Sequence, residues 1–123
     1  MANQITTSSF KVAGHLANAV AISRGVPRGW KGRRYIALAP TWPMLKMSTE
    51  DYLREYKLIL AQLDPAKVAA DLDGAIMLCW EPLNVKCHRR FVAEWLETSC
   101  GLVVPEYGRA RTDCLPFAEQ PSK

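Results

Sequence analysis

The stretch Ala75-Ile-Met-Leu-Cys-Trp-Glu81, with the turn through Pro82 and Asn84 and the following Cys87-His88-Arg89-Arg90, decides how the rest of the chain is read. Residues 75–81 are almost uniformly apolar, as in a central strand covered on both faces. Beyond the turn, Phe91, Val92, Trp95 and Leu96 recur at helical spacing, so a helix opens near Cys87. A thiol, an imidazole and two guanidinium groups therefore gather at the first turn of a helix, just past the carboxyl end of a strand. That is where α/β proteins hold their ligands.

Working outward, residues 4–10 carry β-branched residues in partial alternation and predict an edge strand, and Ala19 to Arg24 predicts a short buried one ended by Gly25 and Pro27. Tyr35 to Leu38 reads as another short strand before Pro40 and Pro43. Ser48-Thr-Glu-Asp51 is a capping-box-like helix start, followed by Tyr52, Tyr56, Ile59, Leu60 and Leu63 on one face. Asp64-Pro65 opens a second short helix that Gly74 ends. Gly101 is the natural stop for the Cys87 helix, and Leu102 to Val104 would form a last strand. Two helices separate the strand ending at Arg24 from the one at Ala75, which predicts parallel pairing. The expected fold is a small three-layer α/β domain over residues 1–106, its mainly parallel sheet flanked by helices. Residues 107–123 have no periodicity and are expected to be a loosely packed tail.

Leu78-Cys79-Trp80-Glu81 with Cys87-His88-Arg89, taken with Ile22-Ser23-Arg24-Gly25-Val26-Pro27 and Leu38-Ala39-Pro40, resembles the signature of the domain-of-unknown-function family 488, a group of uncharacterised bacterial and phage proteins. The resemblance runs from Thr6 to Glu106 and looks like a shorter branch of that family. It points to these motif positions and implies no reaction.

Composition sets the outer bounds. There is no apolar run long enough to span a membrane and no signal-peptide pattern at the amino end, so a soluble, cytoplasmic protein without a membrane partner is expected. In that compartment Cys79, Cys87, Cys100 and Cys114 are expected as free thiols. The net charge of +4 hides an asymmetry: residues 1–49 hold seven cations and no acid, whereas the remainder holds nine cations and twelve acids. A basic first part attracts anions, be they nucleotides, phosphorylated metabolites or nucleic acid, although a plain solvated surface has the same charge.

The candidate pocket follows from periodicity. His88 falls near the centre of the buried stripe and Cys87 at its margin, while Arg90, Glu94 and Glu97 share the opposite face. Cys79 and Glu81 project from one side of their strand, and Ser23 and Arg24 come within reach if theirs is the neighbouring strand. In this reading Arg24 and Arg89 hold an anion, Glu81 or His88 acts as acid or base, and Cys87 is a nucleophile favoured by the helix start, an effect of about 0.3–2 kcal/mol. Arg90, one turn along, could add to it. One objection is internal: adjacent helical residues do not face each other, which makes a Cys87–His88 dyad poor geometry. The residue six beyond Cys87 is Ala93, so the arginine of a phosphatase loop is missing.

The rival readings are distinct. Cys79, Cys87 and His88 could be packing residues, with Arg90 paired to Glu94 at the surface. The loop from Arg24 to Arg34, with Trp30 among its cations and glycines, could bind nucleic acid or protein without catalysis. Cys79, Cys87 and His88 could also hold a metal with His15 or Glu81, though their spacing matches no zinc ribbon. The preferred expectation is a small enzyme acting on a phosphate-bearing or nucleotide-like ligand, with no cofactor.

Overall fold

The computed structural model describes residues 4–121. Four strands, β1 (Thr6–Ser9), β2 (Ala19–Ala21), β3 (Arg33–Arg34) and β4 (Ile76–Cys79), form one sheet in the order β1-β4-β2-β3. Every pair is parallel, and β4 lies between β1 and β2 with Ser8 and Ala21 both opposite Leu78. The expected α/β domain with a parallel sheet is therefore what the chain forms. Burial explains why β4 carries no polar alternation: all four of its residues are inaccessible, with helices or loops against both faces.

On one face, Val20, Ile22 and Met77 meet the helices α2 (Thr49–Ala61), α3 (Pro65–Asp71) and α4 (His88–Cys100). On the other, Ala19, Ala21, Ile76 and Leu78 meet the single turn α1 (Phe10–Ala13) and the Trp30 loop. The helix starts follow the sequence signals. Ser48 Oγ accepts from Asp51 N–H at 3.2 Å, and Asp64 Oδ1 accepts from Ala66 N–H at 3.0 Å with Pro65 as the first helical residue. Gly101 ends α4 at φ 68°, a left-handed conformation glycine adopts without steric cost.

Three expectations change. Residues 36–38 form a 3-10 turn, and the strand lies earlier, at Arg33–Arg34; the Leu38 carbonyl is taken by the buried Tyr56 hydroxyl at 2.6 Å instead of by a neighbouring strand. Residues 102–104 form no strand either. Glu97 Oε2 accepts from Val104 N–H at 2.9 Å and Arg90 Nη1 donates to the Val104 carbonyl at 2.8 Å, so side chains claim the groups a ladder would use. Among the described residues, a single parallel bridge between Thr7 and Glu106 extends the sheet beyond β1.

The third change concerns the segment expected to be a loose tail. Cys114, Phe117 and Gln120 are buried. Phe117 packs edge-on against Phe91 at 5.3 Å, and Arg111 pairs with Glu97 at 2.7 Å. Asn84, at φ 63°, is held from both sides by this segment: its Nδ2 donates to the Asp113 carbonyl and its Oδ1 accepts from Leu115 N–H. The segment thereby fixes the turn that delivers α4.

Connections place the crevice. The chain leaves β2 for β3 on one side, whereas from β4 it runs through α4 to the Glu106 bridge on the other, beyond β1. The carboxyl ends of β2 and β4 are thus the point where the winding changes direction, and a cleft opens there in sheets of this kind.

Candidate functional site

A cleft of about 600 Å³ occupies that point. Ser23 and Arg24 reach it from the end of β2, and Cys79, Trp80 and Glu81 from the end of β4; Cys87 and His88 reach it from the start of α4. The pocket assembled from the strand–turn–helix unit therefore exists as a place in the molecule.

Cys87 is the N-cap of α4, with extended backbone at φ −152° and ψ 146°. Being outside the helix, its side chain is released from helical geometry, and its Sγ lies 3.7 Å from His88 Nδ1. The objection that neighbours on a helix cannot meet is removed by that single backbone conformation. The imidazole is buried, and its Nε2 lies 2.7 Å from the Ile22 carbonyl, which can only accept. Nε2 therefore carries the proton and Nδ1 presents a lone pair toward Cys87. Burial pushes the His88 pKa down to about 4, helped by the Arg89 charge and opposed by the Ile22 carbonyl, so the ring is neutral at pH 7.

Cys79 and Cys87 are joined in a disulfide, which corrects the expectation of free thiols at these positions; Cys100 and Cys114 are free. The turn folds eight residues back on themselves, and Cys79, last in β4, is thereby brought against the N-cap of α4. Sγ of Cys79, Sγ of Cys87 and a His88 ring nitrogen lie within 4.8 Å of one another, a three-donor set whose sulfurs would be open to a metal ion only once the disulfide is reduced. His15 is not in that set: it is exposed and lies before β2, toward the amino ends of the strands.

The arginines depart most from expectation. Arg89 is 1% exposed and serves the interior: Nη2 pairs with Glu106 Oε2 at 2.7 Å, and Nη1 donates to the Glu81 carbonyl and, at 3.3 Å, to Cys79 Sγ. Arg90 is equally buried and makes no surface pair with Glu94. Its Nη1 donates to Thr7 Oγ1 and the Val104 carbonyl, and its Nε and Nη2 have no partner among the described residues. Arg24 does line the cleft, braced by Nε on the Pro40 carbonyl at 3.0 Å. Ser23 is buried with its hydroxyl donating to the Gly25 carbonyl.

Trp30 is elsewhere. Its Nε1 donates to the Gly14 carbonyl at 2.8 Å and its ring meets Phe10 edge-on, on the face of the sheet opposite α4. Gly32 lies tight under that ring, so its lack of a side chain accommodates the indole. The aromatic walls of the cleft are residues the sequence reading passed over: Trp42 and Trp80, 60% and 53% exposed, with Tyr52 and Phe117. Trp42 lies against Gly25, where a Cβ would stand only 3.2 Å from the ring. The doublet Pro40 and Pro43 around Trp42 was the available signal, since it holds that ring on an irregular, accessible segment. Lys86, its Nζ 5.1 Å from the Phe117 ring centroid, adds a second cation to the rim.

Compared with known proteins, the chain matches no protein-family model, no curated protein and no solved structure. The chemistry of the cleft is accordingly read from its own atoms.

Proposed function

We propose that the protein is a small enzyme whose cleft takes a planar, nucleotide-like ligand bearing an anionic group, with Cys87 as the reacting nucleophile of the reduced protein. The observation that carries this reading is the convergence, in one cleft, of the Cys87 sulfur at a helix N-cap with two half-exposed indoles. Indole faces accept the π-face of a base, a contact worth about 1–3 kcal/mol per base. Arg24 and Lys86 supply the countercharge on the rim. His88 Nδ1 accepts from the thiol and orients it, and Glu81 on the cleft wall is the candidate acid or base. Arg89 and Arg90, committed to the interior, are not assigned to the ligand.

The rival binding module on the basic loop has less support, because Trp30 is held by Gly14 and Phe10 and is only partly exposed, whereas Trp80, though it also bonds Gly25 and meets Phe10, keeps about half of its surface accessible on the cleft. The test is titration of the reduced protein with nucleoside monophosphates and single-stranded oligonucleotides, followed by tryptophan fluorescence. The expected result is quenching by the mononucleotides, with affinity reduced about tenfold or more in Trp80→Ala and Trp42→Ala, the loss of one stacking contact. Binding of oligonucleotides alone, abolished in an Arg33→Ala/Arg34→Ala variant and intact in Trp80→Ala, would overturn it.

A further inference from the structure

We infer that Cys79 and Cys87 are a working dithiol–disulfide couple, which gives the protein a thiol–disulfide exchange activity toward low-molecular-weight thiols and disulfides that enter the cleft. This goes beyond the ligand reading above, since it needs no nucleotide, and either reading can fail alone.

The two sulfurs are unequal in the way exchange requires. Cys79, at the end of β4, is 1% exposed, whereas Cys87 stands half-buried at the N-cap of α4, on the cleft wall. An incoming sulfur therefore has better access to Cys87. Arg89 Nη1 donates to Cys79 Sγ at 3.3 Å, and the guanidinium is clamped by Glu106 and the Glu81 carbonyl. A positive charge is thus fixed beside the sulfur that leaves, where a thiolate needs it. Meanwhile His88 holds its Nδ1 lone pair 3.7 Å from Cys87 Sγ, with Nε2–H anchored on Ile22, so the ring can accept from the Cys87 thiol of the reduced protein.

The reaction balances with thiols alone. A substrate thiolate attacks Cys87 Sγ; a substrate–Cys87 bond forms as the Cys79–Cys87 bond breaks, and the electron pair departs on Cys79 beside Arg89. A second substrate thiolate attacks the substrate sulfur and releases Cys87 as a thiolate. Two thiols become one disulfide, and the protein takes up two electrons and two protons. Run backwards, the dithiol reduces a small disulfide by the same steps.

A small substrate is favoured over a protein thiol by position. Cys87 opens into a cleft of about 600 Å³ between aromatic walls, not onto a flat surface that a second protein could cover.

The experiment equilibrates the full-length protein in glutathione buffers of graded ratio, quenches by alkylation and reads each cysteine by mass spectrometry. Cys79 and Cys87 are expected to change together as one two-electron unit, with Cys100 and Cys114 unchanged by the poise. Cys79→Ser is expected to collect roughly one glutathione adduct, at Cys87, while Cys87→Ser collects none at Cys79. Alkylation of the reduced wild type is expected to be about tenfold or more faster at Cys87 than at Cys79, a readout that depends on no variant folding. A disulfide that persists in excess dithiothreitol until the protein is unfolded would mark a structural bridge and overturn the inference. So would adducts on Cys79, or exchange with a reduced protein substrate but none with glutathione. Failure of nucleotide binding would leave these readouts untouched, which separates the two proposals.

Discussion

His88 links the site to the stability of the whole chain. Its pKa stands near 4 when folded and about 6.5 when unfolded, so between those values the unfolded chain binds more protons. Stability from this group is therefore complete above about pH 6.5 and declines as pH falls to about 4, by roughly 3 kcal/mol at most. Urea midpoints measured across that range should drop toward acid in the wild type. In His88→Gln the decline between about pH 6.5 and 5 should flatten, leaving the loss at lower pH from Asp71 and Glu97, whose carboxyls their hydrogen-bond partners hold below the ordinary range. The adjacent arginines offer a contrast at the same scale. Arg89→Met would strand Glu106 in the interior and is expected to cost about 3–5 kcal/mol in chemical denaturation. Arg90→Met loses only the bonds to Thr7 and Val104, while the desolvation that pulls its guanidinium below its ordinary value disappears with it. A cost of about 1–2 kcal/mol is expected there. At this scale the sequence placed Cys79, Cys87 and His88 together, with Arg24 joining them because its strand is the neighbour, and it misread Arg89 and Arg90. A helical wheel assigns faces to a helix lying on a sheet, but here the outer flank of the first turn is covered by Glu106 and residues 104–114. That cover comes from a stretch with no periodicity to announce it.

Among elements, those with local signals were legible. Caps at Ser48 and Asp64, the stop at Gly101 and the apolar run of β4 all depend on residues within a turn of one another. Elements defined by distant partners were not. The expected strand at 102–104 lost its hydrogen-bonding groups to Glu97 and Arg90, and the irregular segment 107–121 is ordered by side-chain contacts to α4 and to Asn84. Phe117 is the centre of that attachment: it is 4% exposed, stacked edge-on with Phe91 and bonded through its N–H to Glu94. Phe117→Ala is expected to destabilise by about 3–5 kcal/mol. Truncation before Arg111 should do at least as much, and should also raise hydrogen exchange in residues 82–88, because Asn84 loses both of its partners. A loosely packed tail would leave both readouts unchanged.

For the molecule as a whole, the parallel order β1-β4-β2-β3 matters more than any single contact. It sets the cleft between β2 and β4, and it explains why half of the site could be read from one stretch while the walls formed by Trp42, Tyr52 and Phe117 could not; Trp80 lay in that stretch and was passed over all the same. Residues 75–88 are contiguous, whereas Trp42, Tyr52 and Phe117 arrive from segments whose placement depends on the finished sheet. The same order has a consequence in time. β1 pairs with β4, seventy residues later, and is bridged at Thr7 to Glu106, whose carboxylate also accepts from the Thr7 hydroxyl across a separation of 99. β1 therefore has no strand to pair with until β4 is also available. The fold is therefore of high contact order, slow to form for its size. Until β4 is in place, Val20 and Ile22, at and just after β2, have no sheet to pack within and stay open to solvent.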